Sequence, residues 1–407
     1  MPSIAFLPWA TSEIRMQFGA FHIVPLHAAV ADGLIPRELE PAITAILKAH
    51  GKKRKVDCAE VPLVRRDDLS FTSGMTDEIA ASYFSFRTRL AFAALSARQY
   101  FGLRYCNSDS ARLVVQAFAQ EGGAGALITT RRRDGHTNNY ISSSAFSETR
   151  PLHVSSSFTL PSDLDIPLMH TLEARAAAGN SSNDSLWPRL EDAIRLFVGA
   201  NTDNTDLDLH TELVDTVSAF SRLFGVWDEK GTVAGFAGTL PAPPPEEDDE
   251  PLGPKANNEF VRRALDSGKS MRESWLADAY RLRGKYGHGD VNAPGYPSTW
   301  QVHEHLLLAA FVFPLLVKAM LAREGFYEFT NDDRLANAMF DTLASYDAFA
   351  PDPNPRGEED DDRDDIDPPL PWRRVMSDFH MRRLAKFLTA ELERMSIETA
   401  DEGLDGE

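Results

Sequence analysis

Apolar residues recur along this chain with two different periods, and the change of period divides it. Near the start, "IAFLPWA" and "IRMQFGAFHIVPL" predict strands, the second alternating enough to be half-buried. "PRELEPAITAILKAHG" predicts a short helix, with Pro36 near its start and Gly51 past its end. "MTDEIAASYFSFRTRLAFAALSARQYF" predicts a longer one. In it Ile79, Tyr83, Phe86 and Leu90 form an apolar stripe, Thr76 supplies a cap, and Asp77 and Glu78 suit the first turn. The phenylalanines around Phe84 and Phe86 are read as core. "ARLVVQAFA" and "GALITTRRRDGHTNNYI" follow as strands. Asp134 and Gly135 turn an exposed hairpin there; the other reading of its arginines is an edge that contacts phosphate. Residues 1–155 therefore read as an α+β domain with a modest sheet. They contain no P-loop, dinucleotide fingerprint or nucleophile elbow.

From about Ser156 the period becomes helical. "SLWPRLEDAIRLFVGAN" aligns Trp187, Leu190, Ile194 and Phe197, and "TELVDTVSAFSRLFGV" aligns Leu213, Val217, Phe220 and Phe224. Further helical stretches are "NNEFVRRALDS", "KSMRESWLADAYRLRGKYG", "STWQVHEHLLLAAFVFPLLVKAMLAREG", "DRLANAMFDTLASYDAF" and "PWRRVMSDFHMRRLAKFLTAELERM". Residues 156–400 thus read as an all-α bundle behind the α+β domain. Acidic loops at 241–255 and 351–369 interrupt it and are read as disordered; 401–407 is an acidic tail. The apolar run at 306–317 is too short for a bilayer and contains Pro314, so it is read as a buried core helix with no membrane partner.

The formal charge of −19 changes this picture less than its size suggests. "EEDDE" at 246–250, the run at 352–367 and the tail at 401–407 hold 18 acidic residues against two arginines, a net of −16. The rest is close to neutral, so the acidity speaks for solubility and does not exclude a nucleic-acid partner. Cys58 and Cys106 stand far apart, without metal-ligand spacing, which excludes a disulfide framework and suits a reducing cytoplasm. No basic-then-apolar leader opens the sequence.

The stretch with chemistry in it is "YRLRGKYGHG", Tyr280 to Gly289. Trp275, Leu276, Ala279 and Leu282 turn to the core, while Arg281, Arg283 and Lys285 project from other faces. Arg283 and His288 are five apart, which one helical face does not match. The glycines at 284, 287 and 289 are expected to end the helix and let His288 fold back beside Arg283. Such a pair suits RNA cleavage: histidine moves protons near neutrality, and arginine grips two phosphoryl oxygens. One histidine does not serve as both acid and base, so a two-fold dimer would complete the site. The bland reading makes both residues helix-end caps. "HEH", His303 to His305, invites a metal reading, but the two histidines point to different sides of a helix. His303 is instead placed at the periphery of the site, and no metal or cofactor is expected.

The tract "SWLADAYRLRGKYGHG" resembles the signature of the HEPN superfamily, an arginine and a histidine ending the third helix of a small bundle, and within it the Apea-like group, with Tyr-x-x-Arg followed by His-Gly. The helices upstream and downstream resemble that group over roughly residues 185 to 325. The resemblance implies a homodimeric, metal-independent endoribonuclease of a toxin or antiviral defence system, with RNA, including tRNA, as substrate and a phage or host protein as trigger. Residue by residue it assigns Arg283 and His288 to the motif, and Glu212 to an acidic position in the upstream helix; Tyr280 and Arg281 stand as supporting residues. The α+β domain would then sense or specify. Gly284 stands where many active members have Asn, Asp or His, and Gly287 where an aliphatic residue is frequent. These glycines favour the alternative, a scaffold that binds RNA or a partner protein without cutting.

Overall fold

The computed structural model describes residues 3–51, 57–97, 108–118, 126–131, 137–142, 158–179, 186–202, 207–243, 252–287 and 298–346. The basic helix expected at 371–395, both acidic segments beyond 350 and His288 lie outside them. The chain divides into two compact units, Met1–Gly225 with Leu321–Tyr327, and Val226–Met320 with Glu328–Glu407.

The first unit is mixed α and β. Its strands are β1 (Ser3–Phe6), β2 (Ala10–Ser12), β3 (Met16–Phe18), β4 (Phe21–Pro25), β5 (Pro62–Arg66), β6 (Val114–Phe118), β7 (Ala126–Arg131), β8 (Thr137–Ser142) and β9 (Phe158–Leu160). Seven of them form a sheet in the order β3-β4-β5-β1-β6-β7-β8, with every pair antiparallel. β2 and β9 pair separately and in parallel. The stretch expected as one strand at 14–26 folds instead as a hairpin, closed by Phe18 opposite Phe21 across Gly19 and Ala20. β7 and β8 pair as the two strands of the expected hairpin, with Arg131 opposite Thr137, while Arg132, Arg133 and the Asp134–Gly135 turn lie outside the described residues.

Among the described residues this unit has six α-helices: α1 (Leu26–Ala31), α2 (Glu40–Gly51), α3 (Asp77–Ala97), α4 (Ile166–Ala177), α5 (Leu186–Ala200) and α6 (Leu209–Phe224). β1 is central and buried along its whole length. Ile4 and Phe6 point from it into a cluster with Ile43, Ile46 and Leu47 of α2, while Phe21 of β4 stacks on Phe86 of α3 at 4.2 Å. Thr76 caps α3, accepting from the Ile79 N–H. Tyr83, Phe86 and Leu90 are buried as their spacing requires. Phe84 is not core: it is 49% exposed, with the Arg87 guanidinium 6.0 Å from its ring centre. It lies one residue round the helix from Tyr83, outside the apolar stripe.

The division at Gly225 falls beyond the change of period near residue 155. The reason is a buried fork: Arg89 of α3 donates from Nε and Nη2 to both carboxylate oxygens of Glu173 in α4, at 2.6 and 3.3 Å. Phe92 of α3 also meets Phe197 of α5 edge to face. Helices that read as the start of a bundle therefore pack on the sheet domain. Residues 321–327 join the same unit because Arg175 of α4, itself buried, donates to Glu324, and Thr171 donates to the Phe326 carbonyl. The tract bearing the HEPN resemblance crosses the division.

The second unit is helical among its described residues: α7 (Glu229–Thr239), α8 (Glu259–Asp266), α9 (Met271–Gly287), α10 (Val302–Arg323, up to Met320) and α11 (Asn331–Ser345). Its core is aromatic. Trp275 of α9 contacts Phe236 of α7 and Phe340 of α11 at 6.1 and 5.2 Å between ring centres. α10 is 22 residues, longer than the apolar run that marks it, and meets the length and hydropathy of a membrane span. Two-thirds of that apolar window is nonetheless buried inside the protein, so it is a core helix. The 241–255 loop also needs correction at its end. There the Gly253 N–H donates to Ser345 Oγ at 2.8 Å, and Lys255, 6% exposed, donates to both oxygens of Glu304 at 2.7 Å. A count of prolines and acids does not register these fixed partners.

Candidate functional site

α9 carries the candidate chemistry, and its two ends are built differently. At the start, Ser270 and Glu273 form a reciprocal cap. Arg272 is fully buried and fully satisfied: it donates to Asp341 Oδ2, to Asn337 Oδ1 and to the carbonyls of Leu240 and Asn337, all at 2.7–2.9 Å. Trp275, Leu276, Ala279 and Leu282 are buried as expected.

Asp278 sits among these apolar residues with no exposed surface. Its Oδ2 accepts from Ser298 Oγ at 2.7 Å and from the backbone N–H groups of Thr299 and Trp300 at 3.2 and 3.4 Å. His305, equally buried between Trp275 and Trp300, places Nε2 3.3 Å from the same oxygen, off the hydrogen-bonding direction. Asp278 was not singled out from the sequence, and His305 entered only through the metal reading of "HEH". The available signal was an aspartate inside the apolar stripe 275–279–282, since a buried carboxylate requires donors.

Beyond Leu282 the helix surfaces. Tyr280 donates from its hydroxyl to the Trp227 carbonyl at 2.5 Å, and Trp227 itself is 64% exposed. Arg283 lays its guanidinium 5.5 Å from the centre of the Tyr280 ring. Arg281 is held in a bidentate pair with Glu229, at 3.0 and 2.9 Å, and lies 4.6 Å from the Phe260 ring centre. Arg281 thus serves the packing of α9 on α7 and α8. Burial raises the Tyr286 hydroxyl pKa above the ordinary tyrosine value.

Of the glycines expected to end the helix, Gly284 lies inside it, and α9 is described to Gly287. A mid-helix glycine costs only about 1 kcal/mol relative to alanine, and the hydrogen-bond ladder carries the chain across it. His288 is the next residue and is outside the described ones. The described chain resumes at Ser298, bound to Asp278, nine residues and about 13 Å back along the same helix.

Of the other expected residues, His303 is half-buried in the first turn of α10. Its neighbours Glu304 and His305 are buried, Glu304 accepting from the Gln301 N–H and from Lys255. Glu212 lies in the first turn of α6, after the Asp208 cap, and so in the first unit. Tyr280 joins the Trp227 carbonyl and the Arg283 guanidinium, and Arg281 joins Phe260 and Glu229, where α9 surfaces. That surface combines cations with aromatic faces, the pairing on which single-stranded nucleic acid is commonly held. The chain matches no known family, no curated protein and no solved structure.

Proposed function

We propose that the second unit is a metal-independent endoribonuclease of HEPN type, working as a cytoplasmic homodimer in defence or growth arrest, with a phage or host protein as its trigger. In this reading Arg283 stabilises the negative charge that grows on the phosphorane, and His288 transfers the proton. A 2′-hydroxyl attacks phosphorus, the 5′-oxygen leaves with a proton, and a 2′,3′-cyclic phosphate remains. The second copy of His288 supplies the partner acid or base.

The observation that carries the reading is the anchoring of the segment that contains His288. α9 is described to Gly287, the residue before His288, and the described chain resumes at Ser298, held by Asp278 of that helix. Both ends of the segment are therefore held to the element that bears Arg283. Cleavage of total RNA and of tRNA in EDTA tests it. Cutting that survives chelation and disappears in both Arg283→Ala and His288→Ala supports the assignment. Overexpression should arrest growth, with His288→Ala relieving the arrest; wild type and mutant behaving alike would remove the support.

A second reading, RNA binding without cutting, is favoured by Gly284. The position after Arg283 has no side chain and open space around it, so it offers no polar group to the phosphate. RNA bound by Arg283 and the Trp227 surface, intact after long incubation, would select this reading.

A further inference from the structure

His305 has no exposed surface, yet neither of its ring nitrogens makes a hydrogen bond among the described residues. A neutral imidazole carries one donor and one acceptor, and burying both unmet is costly. The acceptor within reach is Asp278 Oδ2, 3.3 Å from Nε2 but off the hydrogen-bonding direction. That oxygen is already taken. Ser298 Oγ donates to it at 2.7 Å, and the Thr299 and Trp300 N–H groups donate at 3.2 and 3.4 Å. A carboxylate oxygen has two lone pairs, so a fourth donor must displace one of these three.

Ser298 is the donor with somewhere else to go. Its hydroxyl also lies 2.6 Å from the Trp300 carbonyl, and its single proton serves one acceptor at a time. A proton added to His305 makes both ring nitrogens donors, and an imidazolium binds a carboxylate more strongly than a neutral hydroxyl does. A small turn of the ring then sets Nε2–H on Oδ2, while the Ser298 hydroxyl turns to the Trp300 carbonyl.

The surroundings can receive that charge. Asp278 of α9 is the carboxylate within ion-pair reach of the His305 ring, and the Trp300 ring centre lies 5.9 Å away. The other charged groups of this core are engaged with one another. Lys255 binds both oxygens of Glu304 at 2.7 Å, and Arg272, further back on α9, binds Asp341 of α11. His303 stands half-buried in the same first turn of α10.

We propose that His305, Asp278 and Ser298 form a proton-operated switch that sets how tightly the stretch 298–301 is tied to α9. With His305 neutral, Ser298 binds Asp278 and the stretch is held. With His305 charged, the ring takes Oδ2, Ser298 turns to its own backbone, and the stretch loosens. All of these contacts lie within the second unit, so the switch stands whether or not that unit cuts RNA.

Hydrogen exchange of the full chain, read peptide by peptide, tests it at about pH 5.5 and about pH 8, either side of the range in which imidazoles change charge. Rates are corrected for the intrinsic pH dependence of amide exchange. In the wild type the peptide over Ser298–Val302 exchanges about tenfold faster at the lower pH, the scale of one hydrogen bond to a charged group. A peptide from α7 shows no such difference. His305→Gln abolishes the difference in the 298–302 peptide. Ser298→Ala gives fast exchange at both pH values; Ser298 is only half-buried, so this variant decides the matter even where His305→Gln fails to fold. Equal corrected rates at the two pH values in the wild type overturn the proposal. So does a difference that survives in His305→Gln or in Ser298→Ala, or one shared by the α7 peptide, which would mean that the whole unit opens. RNA takes no part in these measurements, so they succeed or fail separately from the nuclease reading.

Discussion

Arg272 and Arg283 lie eleven residues apart on one helix, and their surroundings are opposite. Arg272 has no exposed surface and its guanidinium is bound to a carboxylate, a side-chain amide and two carbonyls. Arg283 is half-buried against the face of Tyr280. An arginine whose donors are all consumed inside the fold holds helices together. One whose plane rests on an aromatic ring keeps its edge for something else. The charge is the same in both cases, and the partners decide the work.

The largest effect is expected at the buried arginine. Arg272→Ala leaves Asp341 and two carbonyls without their donor and should cost about 3–5 kcal/mol, read as a shift in denaturant midpoint. A cost near zero would mean that the buried network is dispensable. Asp278→Ala removes the acceptor for Ser298, Thr299 and Trp300 and should cost about 1–3 kcal/mol. If the nuclease reading holds, it also lowers RNA cleavage by more than its effect on the folded fraction at the assay temperature.

Acid sharpens the same contrast more gently. Burial alone would raise the Asp333 carboxyl pKa, but Lys318 and the cap hydrogen bonds with Thr330 outweigh it and hold the group below the ordinary range. A depressed carboxylate stabilises the fold fully above the unfolded pKa and ceases to do so as pH falls through the folded one. Stability should therefore decline below about pH 4, and Asp333→Asn should flatten that decline in pH-resolved denaturation. The smallest stability effect belongs to Arg283→Ala, within about 0.5 kcal/mol, because it removes a surface contact. RNA binding measured on the same variant should fall even so; unchanged binding would place Arg283 with the structural arginines.

Much of the helical pattern was legible in the sequence. The stripes in α3, α5, α6 and α9 bury the residues their spacing selects, except Ile79 and Phe224, which are half-buried at helix ends. The sheet was legible strand by strand but not in its order, because β1 joins β5 and β6 across long separations that no local period encodes. The domain division was hidden for a related reason: it depends on Arg89 meeting Glu173, 84 residues away. In the candidate site, Tyr280 and Arg283 were legible as a motif. The Asp278 anchor was not, for its meaning arises only when Ser298 returns to it.

The division of the chain has a practical consequence. The backbone passes from the first unit to the second after Gly225, returns at Leu321, and leaves again after Tyr327. Neither unit is therefore a continuous piece, and a protease cut after Gly225 would release neither of them. A fragment ending at that glycine would deprive buried Arg175 of Glu324. Separate expression of the halves calls for grafting residues 321–327 onto the first by a linker, and for a bridge across the same gap in the second.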